Sequence, residues 1–236
     1  MNAPKTFIAI PTYNEAENIS SLIGEIFRRV PAVFVLVADD DSPDGTGRTV
    51  RAMKEKYPNL FLLERKGVRG FATAYRAAFD EILRDPAVEY IVTMDADFSH
   101  HPRYLPALLD AGRSCDLAIG SRYAPGGGIK NWSAHRRLLS MLGNRYARLV
   151  TGMPCRDITA GFSCIRAEFL RTLPWRAMHS QGYAFLIELK MLFFRAGGHI
   201  REIPIIFEER RMGHSKISKS IIMEGILGPL RMRFFR

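Results

Sequence analysis

The sequence predicts an α/β domain built on a mainly parallel sheet with helices on both faces. Short apolar segments typical of strands alternate with longer amphipathic segments typical of helices up to about residue 121. The strand-like segments are apolar almost throughout, rather than at every second position, which indicates strands buried on both faces. A chain of 236 residues is long enough for one such domain with a substantial core.

The first half of the chain supplies five predicted strands and the helices between them. The strands are expected at about 6–11, 32–38, 60–64, 89–94 and 115–121. The helices are expected at about 15–29, 45–56, 70–84 and 103–112. Asp44 is a candidate N-cap for the second helix, and Pro102 suits the first turn of the fourth.

The pattern changes after residue 121. A glycine-rich loop, YAPGGGIKNW, precedes a predicted amphipathic helix at 134–150 whose apolar stripe suits either a core face or a lipid contact. A turn-rich stretch follows, and the remaining elements are expected as a helix at 183–196, a strand at 200–207 and an amphipathic segment at 217–235. Without an internal repeat or a linker, residues 1–236 are predicted to form a single domain.

Composition and charge narrow the function classes. The net charge is +10, and basic residues concentrate after residue 120, whereas the first 60 residues carry an acidic run. This asymmetry predicts one metal-binding half and one anion-binding half. The three cysteines have no metal-ligand spacing and fit a reducing cytosol. No signal peptide is expected, and the apolar run 32–38 is too short to span a bilayer.

Polar clusters follow four of the predicted strands. These clusters are PTYNEAENI, DDDSPDGT, DADFSHHP and GSR. Turn chemistry explains each cluster singly, but ligands of open α/β sheets bind at the carboxyl ends of the strands, where all four would meet. Asp95 and Asp97 are two positions apart, so in extended chain both carboxylates point the same way. They suit Mg²⁺ or Mn²⁺ held together with substrate phosphates.

Other readings of these clusters remain open at this point. The four aspartates at 39, 40, 41 and 44 cannot all face a phosphate, so some are expected to bind the rest of a nucleotide or to cap the following helix. His100 and His101 could belong to a two-metal hydrolase, although a His-Pro step more often shapes a loop. The absence of a P-loop and of GxGxxG argues against P-loop ATPases and dinucleotide-dependent dehydrogenases.

Taken together, the motifs resemble those of the dolichol-phosphate mannosyltransferases, or polyprenyl-phosphate mannose synthases. The resemblance runs from about residue 7 to 220 through IPTYNEAENI, VADDDSPDGT, MDADFSHHP, GSRY, GGGIKNW, DITAGF and IPIIFEERRMGHSK. These enzymes are inverting family 2 glycosyltransferases of the Rossmann-like GT-A fold. The resemblance implies a nucleotide- and metal-binding half at 7–122, an acceptor half at 123–216 and an amphipathic tail at 217–236.

The resemblance also implies roles for named residues. The nucleotide would be held by Pro11, Tyr13, Glu15, Asp39, Asp41 and Asp95. The metal ligands would be Asp95, Asp97 and Ser99, the last a weaker ligand. The acceptor phosphate would be held by Arg122, Arg136, Ser140, Arg210 and Lys216. Catalysis would depend above all on Asp97 and Arg122. Asp41 stands where the family more often has an amide.

The implied reaction is transfer of mannose from GDP-mannose to a polyprenyl (dolichyl-type) monophosphate, with inversion and with Mg²⁺ or Mn²⁺. A phosphomonoester needs no general base, since its second pKa is about 6, but it does need arginine and lysine to bind it. The protein would act at the cytosolic face of a membrane as a peripheral protein, without a nucleic-acid partner. The alternatives are a UDP-sugar donor such as UDP-glucose, a sugar nucleotidyltransferase, and a non-catalytic basic binding protein.

Overall fold

A computed structural model describes residues 4–182, 184–208, 227–231 and 233–234. Its strands are β1 (Thr6–Thr12), β2 (Phe34–Asp39), β3 (Leu60–Glu64), β4 (Tyr90–Thr93), β5 (Leu117–Ser121), β6 (Gly128–Ile129), β7 (Ser163–Arg166), β8 (Ile200–Pro204) and β9 (Ile206–Phe207). Its α-helices are α1 (Ala16–Arg29), α2 (Thr46–Met53), α3 (Phe71–Leu83), α4 (Leu105–Gly112), α5 (Ala134–Thr151), α6 (Ala167–Thr172) and α7 (Ala184–Arg195). Two 3₁₀ turns lie at Pro102–Tyr104 and Trp175–Ala177.

The central sheet has seven strands in the order β3-β2-β1-β4-β7-β5-β8. All neighbouring pairs are parallel except those of β7, which runs antiparallel to both β4 and β5. A separate parallel pair joins β6 to β9. The predicted α/β class with a mainly parallel sheet is therefore confirmed.

Apolar layers cover both faces of the sheet, which explains the unbroken apolar strands. In β1, Ile8 and Ile10 pack into the layer that contains the buried side of α1, whereas Ala9 packs into the layer that contains α3 and α7. The second layer includes a cluster of aromatic rings, which contact one another at Phe79, Trp175 and Phe185. Helices on both faces are thus confirmed as well.

The main difference from the predicted elements lies between α5 and α7, in the stretch that was predicted to be rich in turns. It contains β7 and α6, whose four and six residues are too short to show a period in the sequence. The strand expected at 200–207 is two strands in different sheets, separated at Ile205, whose N–H donates to the carbonyl of Ser121. The predicted tail at 217–236 falls largely outside the described residues.

The direction of β7 determines which loops meet at the functional edge. Because β7 is antiparallel, its first residue, Ser163, pairs with both Thr93 near the end of β4 and Ile119 near the end of β5. The loop before β7, residues 155–162, therefore enters at the carboxyl ends of β4 and β5. None of the helices in the described ranges combines the length and the apolar composition that a bilayer crossing needs.

Candidate active site

Asp39 at the end of β2 is a buried carboxylate held by its neighbours. It accepts hydrogen bonds from the Thr12 hydroxyl (2.8 Å), the Ser42 hydroxyl (2.6 Å) and the Ser42 N–H (3.0 Å). Gly47 lies so close that a Cβ there would be 3.3 Å from the Asp39 carboxylate. The carboxylate is thereby fixed between the loops that follow β1 and β2.

Asp44 ties the starts of two helices together rather than acting as the predicted N-cap. Gly45, with φ of 92°, occupies the N-cap position of α2. Asp44 accepts from the N–H of Ala16 at the start of α1 (2.9 Å), and from the N–H and hydroxyl of Thr46 (3.0 and 2.6 Å). Burial opposes its ionisation, but these hydrogen bonds outweigh burial and lower the pKa of Asp44.

The remaining two aspartates of this run have different environments. Asp40 is buried, pairs with Arg65 and accepts from the Gly70 N–H at 2.8 Å. Burial nevertheless raises the pKa of Asp40. Asp41 is exposed and adopts φ of 54°, a left-handed conformation that aspartate tolerates better than most residues. Asp40 and Asp44 therefore serve the fold, in keeping with the expectation that the four cannot share one ligand.

Five of the six predicted nucleotide-binding residues lie at the carboxyl ends of β1 and β2, and the sixth, Asp95, follows β4. Pro11 pairs with Ala38 in the register of these strands. Glu15 accepts from the Asn18 side chain at 3.0 Å, in the first turn of α1. The guanidinium carbon of Arg69 lies 4.6 Å from the centre of the Tyr13 ring, a contact that sequence patterns gave no reason to expect.

Asp95 and Asp97 follow β4 in a tightly wound turn. Asp97 is buried and accepts from the Ser99 N–H at 3.0 Å, while the Asp95 side chain is 25% exposed. Between them and Ser99, Phe98 adopts φ of 64°, which bends the chain after β4. Both carboxylates thus stand at the same edge as the predicted nucleotide-binding residues, one buried and one partly exposed.

The two histidines after this turn shape the loop, which is the role that the sequence favoured over a two-metal hydrolase. His100 is buried, its ring stacks on Phe162 at 5.3 Å, and its Nδ1 accepts from the Asp95 N–H at 3.0 Å. His101 accepts from the Arg103 N–H at 3.1 Å and so caps the 3₁₀ turn. Since both Nδ1 atoms bind backbone amides, the arrangement does not favour a two-metal hydrolase.

The carboxylates of Asp95 and Asp97 suit a cation that is also coordinated by the substrate of the protein. Within the described residues, no group of three or more His, Cys, Asp and Glu side chains could hold a metal ion. Two carboxylates alone suit Mg²⁺ or Mn²⁺, which take the rest of their ligands from water and from substrate phosphates. Asp95 and Asp97 would hold such an ion. Ser99 contributes its N–H to Asp97.

Arg122, directly after β5, is a buried guanidinium with a fixed orientation. Its Nε and Nη2 donate to the two carboxylate oxygens of Asp157 (2.8 and 2.6 Å), and Nη2 also donates to the Thr159 hydroxyl (2.7 Å). Burial would raise the pKa of Asp157, but the charge and hydrogen bonds of Arg122 outweigh it and lower that pKa. Asp157 and Thr159 were not predicted as site residues, although the DITAGF motif that contains them was noted.

The predicted acceptor residues surround two aromatic rings. The guanidinium carbon of Arg122 lies 5.4 Å from the Tyr123 ring centre and 5.9 Å from that of Trp132. Arg136, in the first turn of α5, lies 4.0 Å from the Trp132 ring centre, and the Tyr123 hydroxyl donates to Ser140 at 2.9 Å. The structure therefore brings Arg122, Arg136 and Ser140 together. Arg210 and Lys216 lie outside the described residues.

The apolar stripe of α5 is exposed to solvent. Of the two roles that the sequence allowed for it, a core face and a lipid contact, the core face is therefore excluded. Its buried residues are Asn144, Ala147 and Thr151. Its large apolar residues are 50–76% exposed: Leu138, Leu139, Met141, Leu142 and Leu149. Exposed arginines interleave with them at 137, 145 and 148. A surface of this kind is typical of contact with a partner or with anionic lipid.

Comparison with known proteins gives consistent matches. The model of the family "Glycosyl transferase family 2" matches residues 7–173. The chain is 41% identical to the undecaprenyl-phosphate mannosyltransferase of Micrococcus luteus, covering 94% of this chain and 91% of that protein. It is 42% identical to the polyprenol monophosphomannose synthase of Mycolicibacterium smegmatis, covering 94% and 84%.

A more distant relative and a solved structure also resemble this chain. The dolichol-phosphate mannosyltransferase of Pyrococcus furiosus is 32% identical, over 93% of this chain and 61% of that protein. Among solved structures, glucosyl-3-phosphoglycerate synthase from Mycobacterium tuberculosis, crystallised with Mn²⁺ and UDP, superposes with a TM-score of 0.68 at 18% identity, over 98% of this chain and 80% of that one. That likeness shows the shared fold. The chain is a glycosyltransferase that belongs to family 2 and, within it, to the polyprenyl-phosphate mannosyltransferases.

Proposed function

We propose that this enzyme transfers mannose from GDP-mannose to a polyprenyl monophosphate, with inversion, and that Asp95 and Asp97 bind the divalent cation it needs. The observation that carries the proposal is the pair of sites at one edge of the sheet. Two carboxylates follow β4, and an anchored arginine follows β5. The curated relatives at 41% and 42% identity are named for transfer to such lipids.

The donor would lie along the loops after β1, β2 and β4. Tyr13, Glu15, Asp39 and Asp41 are proposed to bind the nucleoside, because they surround the carboxyl ends of β1 and β2. A divalent ion, when bound, neutralises the negative charge that develops on the nucleoside diphosphate leaving group. The turn after β4 would hold the two carboxylates in place, and through the bound ion they would fix the orientation of the diphosphate.

The acceptor phosphate would lie against Arg122, Arg136 and Ser140. Nε and Nη2 of Arg122 are occupied by Asp157 and Thr159, whereas Nη1 has no hydrogen-bond partner among the described residues. Such an arrangement aims the remaining N–H groups at a ligand. The phosphate is already anionic near neutral pH and acts as nucleophile without a general base.

Labelled donors test the donor and the acceptor together. Purified protein is offered GDP-mannose, UDP-glucose or UDP-N-acetylglucosamine with polyprenyl phosphate and Mg²⁺, and organic-phase label is counted. We expect label from GDP-mannose at least tenfold above the others. A larger signal from UDP-glucose would replace the proposed donor, and no transfer from any of them would reject the proposed acceptor.

A groove beside α5 suits the lipid part of the acceptor. Its volume is about 780 Å³, and it is lined by apolar and basic side chains together with Tyr123, the residue that contacts Ser140. The lining includes Met141, Arg145, Arg148, Leu149, Met153 and Arg156. An isoprenoid chain would lie on the apolar residues while the arginines face anionic headgroups at a membrane surface.

The α5 surface gives a testable route to the membrane. Leu142→Glu, which places a negative charge on this exposed apolar face, is expected to reduce flotation with anionic phosphatidylglycerol vesicles by about tenfold or more. Val68→Glu is the matched control, because Val68 is 52% exposed, as Leu142 is at 53%, but lies in the loop between β3 and α3. Equal loss of flotation in both variants, or in neither, would contradict a docking role for α5.

A further inference from the structure

Lys190 of α7 is a lysine inside the protein. It is 2% exposed, and its ammonium donates to the carbonyl of Ala160 at 2.6 Å and to that of Leu186, one turn earlier in α7, at 3.4 Å. An isolated ammonium is costly to bury, so a lysine in such a place needs partners. The closer partner belongs to the first part of the loop before β7 (the loop 155–160), which lies beside Arg122.

The titratable groups that interact electrostatically with Lys190 connect it to that loop. They are Cys155 and Asp157 from the loop, Arg122 from the end of β5 and Glu202 from β8. Glu188, on the same helix as Lys190, instead accepts from the N–H groups of residues 179 and 180. Burial lowers the pKa of Lys190 to about 8, although the charges on Asp157 and Glu202 oppose that shift.

The loop 155–160 is held at both ends and also at Thr159, whose N–H donates to the Asn144 side chain of α5 at 3.3 Å and whose hydroxyl accepts from it at 3.0 Å. The carboxylate of Glu202 accepts from the N–H groups of Arg156 and Asp157 at 2.8 and 2.9 Å. Lys190 holds the other end at Ala160. Between these anchors lie Asp157 and Thr159, whose side chains orient the Arg122 guanidinium.

We propose that Lys190 is a positioning residue for the acceptor phosphate: its ammonium fixes the loop 155–160 from inside the domain and so aims Arg122. This inference rests on the proposed function for the identity of the acceptor. Lys190 does not touch substrate. Its contribution passes through Ala160 and Asp157 to Arg122, and it concerns the acceptor site alone.

A pH dependence follows for the unmodified enzyme. As the pH rises through about 8, Lys190 loses its charge, and its hydrogen bond to Ala160 weakens. The acceptor KM is therefore expected to rise severalfold between pH 7 and 9.5, a range in which the lipid phosphate is already largely dianionic. The folded-state pKa of Lys190 lies below its ordinary 10.5, so the unfolded chain binds more protons in this window. This group's contribution to stability thus increases with pH, so the titration of Lys190 does not itself promote unfolding in this window.

Lys190→Met tests the proposal, since methionine fills similar space but donates no hydrogen bond. We expect the KM for farnesyl phosphate, a short polyprenyl phosphate, to rise on the order of tenfold while the donor KM stays within twofold. The pH dependence of the acceptor KM should flatten, and amide exchange at 157–162 should accelerate. Lys54→Met, on the exposed end of α2, is the control.

Each arm of the experiment can overturn the proposal. An unchanged acceptor KM, an equal rise in donor and acceptor KM, or unchanged amide exchange in the loop would each show that Lys190 only packs the core. A wild-type acceptor KM that is flat from pH 7 to 9.5 would do the same without any variant. Failure of the wild type to use any polyprenyl phosphate would reject the proposed function instead, while the exchange comparison would still decide whether Lys190 fixes the loop.

Discussion

Asp97→Asn is expected to leave the protein folded and to reduce sugar transfer on the order of 1000-fold or more. Asparagine has the size of aspartate, and its carbonyl oxygen can still accept the hydrogen bond that Asp97 receives from the Ser99 N–H at 3.0 Å. The change removes the negative charge proposed to bind the cation and replaces one carboxylate oxygen by an NH₂ group of similar size. Loss of charge stabilisation on the leaving group costs a factor of this order.

Transfer of label from GDP-mannose, with calorimetry of nucleotide binding in Mg²⁺ or Mn²⁺, measures this effect. The nucleotide–metal affinity should fall together with the rate, and wild-type activity should disappear in excess EDTA and return with added cation. Asp110→Asn, on the exposed side of α4, is the matched control and should be fully active. Undiminished transfer by the wild type in excess chelator would contradict a metal site at Asp95 and Asp97.

Arg122→Lys is expected to reduce transfer to lipid phosphate on the order of 30- to 1000-fold while nucleotide–metal binding changes little. Lysine keeps the positive charge beside the buried Asp157 but lacks the planar fork that binds Asp157 and Thr159 and that is proposed to bind a phosphate as well. A lost charge-assisted contact of this type costs about 2–4 kcal/mol. Arg122→Ala is a poorer test, because an unpaired buried carboxylate would also destabilise the fold by about 3–5 kcal/mol.

The decisive measurement compares the two substrates of the same variant. Calorimetry with GDP and Mg²⁺ should give a wild-type affinity, whereas the kcat/KM for polyprenyl phosphate should fall. Arg201→Lys is the control, since Arg201 is an exposed arginine of β8 that contacts Ser114. If Arg122→Lys instead weakens the nucleotide and spares the acceptor, Arg122 serves the donor diphosphate, and the division into a donor half and an acceptor half is wrong.

The sequence alone was sufficient to predict the strands and helices of the parallel part of the sheet. β1, β2 and β3 and the helices between them lie close to the predicted positions, because an all-apolar strand followed by a 3.6-residue period is a local signal. The same local signals located Asp39, Asp95, Asp97 and Arg122 at strand ends, and the parallel arrangement placed those ends at one edge. The family was also identifiable from these motifs, as the 41% identical relative confirms.

Other features depended on tertiary structure. The four residues of β7 show no period of their own, and their place between β4 and β5 is set by pairing with strands far away in the sequence. That insertion brings Asp157 to Arg122, 35 positions earlier in the chain. The periodicity of α5 likewise showed which face is apolar, but not that solvent rather than core meets it.

The physical reason is the range of the interactions. Hydrophobic period and turn chemistry act over a few residues, so they can be read along the chain. The ion pair of Arg122 with Asp157 and the burial of Lys190 beneath Ala160 arise only when distant segments pack together. The side chains at the strand ends could therefore be predicted from the sequence. The groups that orient those side chains could not, because long-range packing determines them.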